Sequence, residues 1–74
     1  MTAAASEKTK ARPNEIRAVD RLRRARRVTL DALAQRFPRS ETWLSRALAG
    51  YLPMTRGQIR ALRQAILELS RNRT

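Results

Sequence analysis

The apolar residues of this 74-residue chain recur three and four positions apart, and no stretch alternates apolar with polar. That periodicity puts them on single faces of helices and leaves nothing that reads as a strand. Pro13 suits the first turn of a helix and Asn14 is a good N-cap, so order is expected from about Pro13–Asn14. Ile16, Val19 and Leu22 then recur every three residues, with Ala18 and Ala25 beside them. Thr29 caps a second helix, Asp31 falls in its first turn, and Leu30, Leu33, Ala34 and Phe37 form its inner face. Pro38 ends it, because proline disfavours helical backbone in the residue before it. Ser40 caps a third helix, in which Trp43, Leu44, Ala47 and Leu48 follow at helical spacing. Gly50 suits a left-handed C-terminal cap, and residues 51–54 read as a short loop. Thr55 with Gln58 makes a capping box for a last helix, whose Ile59, Leu62, Ile66 and Leu69 are spaced three, four and three, out to about Arg71. The fold class is therefore all-α, with four helices. The expected core is Leu33, Ala34, Phe37, Leu44, Leu48, Ile59, Leu62 and Ile66.

At this length the chain is one small domain, and its core is marginal because short chains bury a small share of their surface. It contains no Cys and no His, which excludes a disulfide scaffold and zinc sites built on those ligands. The same absence removes the commonest general base and the best thiol nucleophile. The six carboxylates (Glu7, Glu15, Asp20, Asp31, Glu41 and Glu68) are scattered and form no metal-binding cluster. Gly50 and Gly57 are the only glycines, so no phosphate-cradling glycine motif exists. The chain is read as no enzyme, with no cofactor, metal or small-molecule ligand. No apolar run is long enough for a membrane span and residues 1–8 lack a signal-peptide core, so a cytoplasmic, nucleoid-associated protein is expected. Seventeen Lys and Arg against six Asp and Glu give +11, and a charge of that size calls for an acidic partner, nucleic acid first. Residues 1–27 carry +6 and residues 28–74 carry +5, so the charge is not confined to a tail. Fifteen of the cations are Arg, the side chain suited to bidentate phosphate and guanine contacts.

The informative window is TLDALAQRFPRSETWLSRALAG, residues 29–50: two short helices separated by a break of three or four residues, the second opening on a small polar cap. This window resembles the helix-turn-helix of the lambda-repressor-like, Xre-type family of phage and plasmid regulators. The family pattern runs roughly T-x-x-x-L-A-x-x-[LF]-G-[VLI]-S-x-x-x-[IL]-S-R-x-x-x-G. Thr29, Leu33, Ala34, Phe37, Ser40, Leu44, Ser45, Arg46 and Gly50 fall on it in register, over 22 of the 74 residues. Pro38 and Arg39 stand where the family has Gly and a buried aliphatic, so the turn must differ in shape and Arg39 is left to face phosphate. The resemblance implies a compact four-helix domain over residues 13–72, with five helices as the alternative count, and a helix-turn-helix core at 29–50. It also implies double-stranded DNA as partner, with a recognition helix at 40–49 in the major groove.

The resemblance places Glu41, Thr42, Ser45 and Arg46 against base edges. Arg46 can bridge guanine O6 and N7, or else clamp a phosphate; Glu41 can accept from cytosine N4, or else serve the helix dipole alone. Thr42 and Ser45 offer hydroxyls to bases, or merely to solvent. Thr29 and Ser40 cap their helices and can also bond phosphate, as helix N-termini favour anions. Arg39 and Arg56 flank the recognition helix as phosphate clamps, or are ordinary solvated arginines. Trp43 can pack its ring on the domain and offer its indole N–H to a phosphate, or pack only. Residues 1–12 lack an apolar period and read as a flexible basic arm, whose Lys8, Lys10 and Arg12 either lie in a DNA groove or bind nothing specific. Arg23, Arg24, Arg26 and Arg27 end the first helix, where cations also suit its dipole.

The expected activity is sequence-specific binding of a DNA operator by a small repressor, often acting on its own promoter, of phage, plasmid or toxin–antitoxin type. One helix reads too few bases for a genome, so a homodimer (through Leu67 and Leu69) or tandem monomers on repeated sites are expected. The rival readings are a nonspecific nucleoid- or RNA-binding protein, and a basic amphipathic module acting on a membrane or a protein partner.

Overall fold

Four helices form at the expected places. The computed structural model describes residues 8–71 and contains α1 (Pro13–Ala25), α2 (Leu30–Arg36), α3 (Glu41–Leu48) and α4 (Arg56–Arg71), with no strand among the described residues. Residues 1–7 of the expected arm, and residue 72 at the end of the expected domain, lie outside the described residues. No helix is long and apolar enough to cross a membrane among the described residues.

Local side chains set most helix starts. Thr29 Oγ1 accepts from the Ala32 N–H at 3.1 Å, and Ser40 Oγ from the Trp43 N–H at 3.1 Å. At α4 the Gln58 N–H donates to Thr55 Oγ1 at 3.2 Å while the Thr55 N–H donates to Gln58 Oε1 at 2.9 Å. α1 departs from expectation: its N-cap is Arg12, and Asn14 lies inside the first turn. Pro13 takes the first helical position, where its missing N–H leaves no bond unmade. Glu15 Oε1 accepts from the Arg12 N–H at 2.8 Å, which satisfies the cap from inside the helix.

α1 and α3 end in the same way. After α3, the Tyr51 N–H reaches Arg46 O at 2.9 Å and the Gly50 N–H reaches Ala47 O at 3.1 Å, with Gly50 at φ 94°. After α1, the Val28 N–H reaches Arg23 O at 3.0 Å and the Arg27 N–H reaches Arg24 O at 3.1 Å, with Arg27 at φ 57°. Both are Schellman caps, but the second puts an arginine where glycine is favoured. Val28 then turns inward and is buried, and the Arg23 guanidinium donates to its carbonyl at 3.0 Å and to Asp20 at 3.1 Å.

α1 packs on α3 and α4, and α2 packs on α3 and α4. Leu33, Leu44 and Leu62 are fully enclosed, and Phe37, Ile59 and Ile66 are buried with them. Ala34 and Leu48, expected in the core, are only half-buried. The core also takes residues from outside the helical stripes: Ala11, Val28 and Met54.

Ala11 belongs to the expected flexible arm, and here the structure differs. The Ala11 N–H donates to Met54 O at 2.7 Å and the Arg56 N–H to Thr9 O at 2.8 Å, around an antiparallel bridge of Lys10 with Thr55. These bonds tie residues 9–11 to the entry of α4, so the arm's inner end is part of the fold. The Arg56 N–H, in α4's first turn and without a partner inside the helix, is satisfied by this segment.

Candidate nucleic-acid interface

α3 turns Leu44 and Ala47 into the core and leaves the opposite side to solvent. With successive side chains about 100° apart around a helix, residues 41, 42, 45 and 46 share that outer arc. All four are exposed and, with Leu30 of α2, they line one depression of about 270 Å³. The expected base-reading set is therefore brought together. None of Glu41, Thr42, Ser45 and Arg46 forms an ion pair or side-chain hydrogen bond with another of the described residues. The depression thus presents the fork of Arg46, two hydroxyls and one carboxylate: donors and an acceptor in a single patch.

The turn from α2 to α3 has a shape that its proline explains. Phe37 is extended, as the residue before a proline prefers, and the Arg39 N–H folds back to Phe37 O at 2.7 Å. Pro38 sits at the centre of this three-residue turn, where its fixed φ matches what an inverse γ-turn needs. Arg39 emerges exposed, with its guanidinium carbon 5.0 Å from the centre of the Trp43 ring. The other neighbour of Trp43 is Phe37, at 6.1 Å between ring centres and 25° between planes. Trp43 is half-buried, and its ring gives Arg39 a platform. Arg39 also lines a groove of about 860 Å³ with Lys8 and Arg60, against Gly57 and Gln58 at the start of α4. Helical spacing gives Arg60 no role beyond standing one turn after Arg56 on the same helix, and only the packing of α4 against the α2–α3 turn brings it beside Arg39.

Other expected contacts are placed differently. Arg56 Nε lies 3.2 Å from Glu15 Oε2, so its charge is shared with a carboxylate, and it lines neither the depression nor the groove. The Glu15 carboxyl is held below its ordinary range, chiefly by the Arg12 N–H it accepts, with the Arg56 charge acting in the same direction. Thr29 and Ser40 are exposed and capping at once, so each has one lone pair engaged and keeps its O–H and a second lone pair to offer. The arm cations do not form one unit. Lys8 lines the groove beside Arg39, Lys10 lines a separate one near Tyr51, and Arg12 caps α1. Asp20 pairs with Arg23 at 3.1 Å and Arg24 at 3.2 Å, and Arg36 pairs with Glu68 at 3.4 Å, so several cations serve the fold.

No family model, curated protein or solved structure matches the chain.

Proposed function

We propose that the chain is a sequence-specific duplex-DNA-binding regulator of the lambda-repressor-like type, with α3 as its recognition helix. The observation that carries this is the single exposed depression formed by Glu41, Thr42, Ser45 and Arg46. An eight-residue helix is about 12 Å long, and the major groove is about 12 Å wide, so α3 can lie within it. Arg46 then donates to guanine O6 and N7, and Glu41 accepts from cytosine N4. Arg39, resting on Trp43, and Lys8 and Arg60 across the adjoining groove supply phosphate contacts. Arg56 is a secondary clamp, because a phosphate must compete with Glu15 for it. Occupancy of a promoter is the repressing event, and two copies on a repeated or palindromic site supply the length of sequence one helix cannot read. Leu69 packs against the core and Leu67 is half-buried, which leaves little of the expected dimer patch and favours tandem monomers.

Selection from random duplex DNA tests the reading. The expected result is an enriched motif whose recovery is lost with Arg46→Ala, while Arg39→Ala weakens all sequences alike. A palindrome indicates a dimer and a direct repeat indicates tandem monomers. Absence of any enriched motif overturns sequence-specific reading in favour of nonspecific nucleic-acid binding.

A further inference from the structure

We infer that a second groove, between the start of α1 and the exit of α3, docks an acidic segment of a partner protein through an apolar side chain of that segment. The groove holds about 540 Å³. Ile16, Leu48 and Leu52 supply aliphatic surface, Lys10 and Arg17 supply positive charge, and no Asp or Glu lines it. Beside them stands Tyr51, 81% exposed and the one large hydrophobic side chain so exposed among the described residues. Singly exposed aromatics need no explanation in general, but this one borders a groove and its backbone is held. Gly50 at φ 94° and the Tyr51 N–H to Arg46 O bond fix where the ring leaves the chain. Lys10 is held too, through the main-chain pairing of residues 9–11 with the entry of α4.

Charge selects the occupant. A second copy of a +11 chain would set its own cations against Lys10 and Arg17. A nucleic-acid duplex, its bases paired and stacked, would bring phosphate to the cations but no apolar group to the Ile16–Leu48–Leu52 surface. A segment of Asp and Glu carrying a Phe or Leu satisfies both, with the side chain seated beside Tyr51 and the carboxylates toward Lys10 and Arg17. This groove shares no lining residue with the α3 depression, so the inference does not rest on DNA reading.

The test titrates the full chain with a short synthetic peptide of Asp and Glu bearing one Phe and one Leu, followed by heteronuclear NMR. The expected shifts cluster on Ile16, Arg17 and residues 48–54. Tyr51→Ala and the double variant Lys10→Glu, Arg17→Glu each weaken binding by about tenfold, as loss of an anchor or of the attracting charge does. Arg46→Ala leaves it unchanged. Tyr51, Lys10 and Arg17 are exposed, so these variants should melt as the parent does, and melting is measured alongside. A peptide of equal charge with Phe and Leu replaced by Ser should bind about tenfold more weakly. Equal binding of the two peptides, or shifts spread over the α3 face, would overturn the proposal and leave a general attraction of polyanions.

Discussion

The two Schellman caps make opposite predictions at equivalent backbone positions. Gly50 and Arg27 both follow a helix in the left-handed region, at φ 94° and 57°. A side chain there costs roughly 1–2 kcal/mol, because Cβ crowds the following carbonyl. A Cβ added at Gly50 meets no atom within 4 Å, so Gly50→Ala tests backbone strain with no clash. Alanine regains part of that cost, about 0.4–1 kcal/mol, by restricting the unfolded chain. The net expectation is a loss of about 1 kcal/mol for Gly50→Ala and a gain of similar size for Arg27→Gly relative to Arg27→Ala. Both variants lack the arginine side chain, so the comparison isolates the backbone. In a domain of this size about 1 kcal/mol moves the melting midpoint by roughly 4–8 °C. Thermal melts by circular dichroism read this directly. Equal midpoints for Arg27→Gly and Arg27→Ala, or an unchanged midpoint for Gly50→Ala, would refute the strain argument and the cap assignments behind it.

Other expectations follow from the same contacts. Met54 is 1% exposed although it lies in a loop, so Met54→Ala should cost about 2–5 kcal/mol by chemical denaturation; a loss under half of that would mean the loop collapses to fill the gap. Glu15 is held below its ordinary range, so its contribution is present above the unfolded carboxylate range and is lost as pH falls through its lowered value. Glu15→Gln keeps an acceptor for the Arg12 N–H, and its stability should therefore fall less than the parent's on acidification from neutral pH, as melts at several pH values would show. Trp43→Leu keeps apolar bulk but removes the platform 5.0 Å from Arg39, and DNA affinity should drop by no more than Arg39→Ala costs, about equally on all sequences; a loss confined to the preferred motif would place Trp43 in base reading. Binding should fall with salt at a log–log slope of about −0.9 per phosphate neutralised, and Arg39→Ala should reduce that slope by about one contact.

Features that close within one helical turn are legible along the chain. The caps at Thr29 and Ser40, the Thr55–Gln58 box and the left-handed Gly50 all depend on side chains or conformations within a few residues, so their chemistry can be read along the chain. The apolar stripes of α1 to α4, and the shared outer face of residues 41, 42, 45 and 46, follow from helical spacing in the same way. Whatever depends on distant partners is set only when the helices pack. Residues 9–11 carry no apolar period, and their bonds to residues 54–56, with the burial of Ala11, make them part of the fold. Val28 and Met54 sit in connections, where spacing says nothing about burial. Arg27 occupies a position suited to glycine because the chain must turn Val28 inward, a demand set by the core and not by local preference. Arg56 and Glu15 are 41 residues apart, and Arg36 and Glu68 are 32 apart. Among the described residues such pairs decide which cations hold the fold and which remain for a partner, and composition cannot divide them because every arginine carries the same charge until the helices pack.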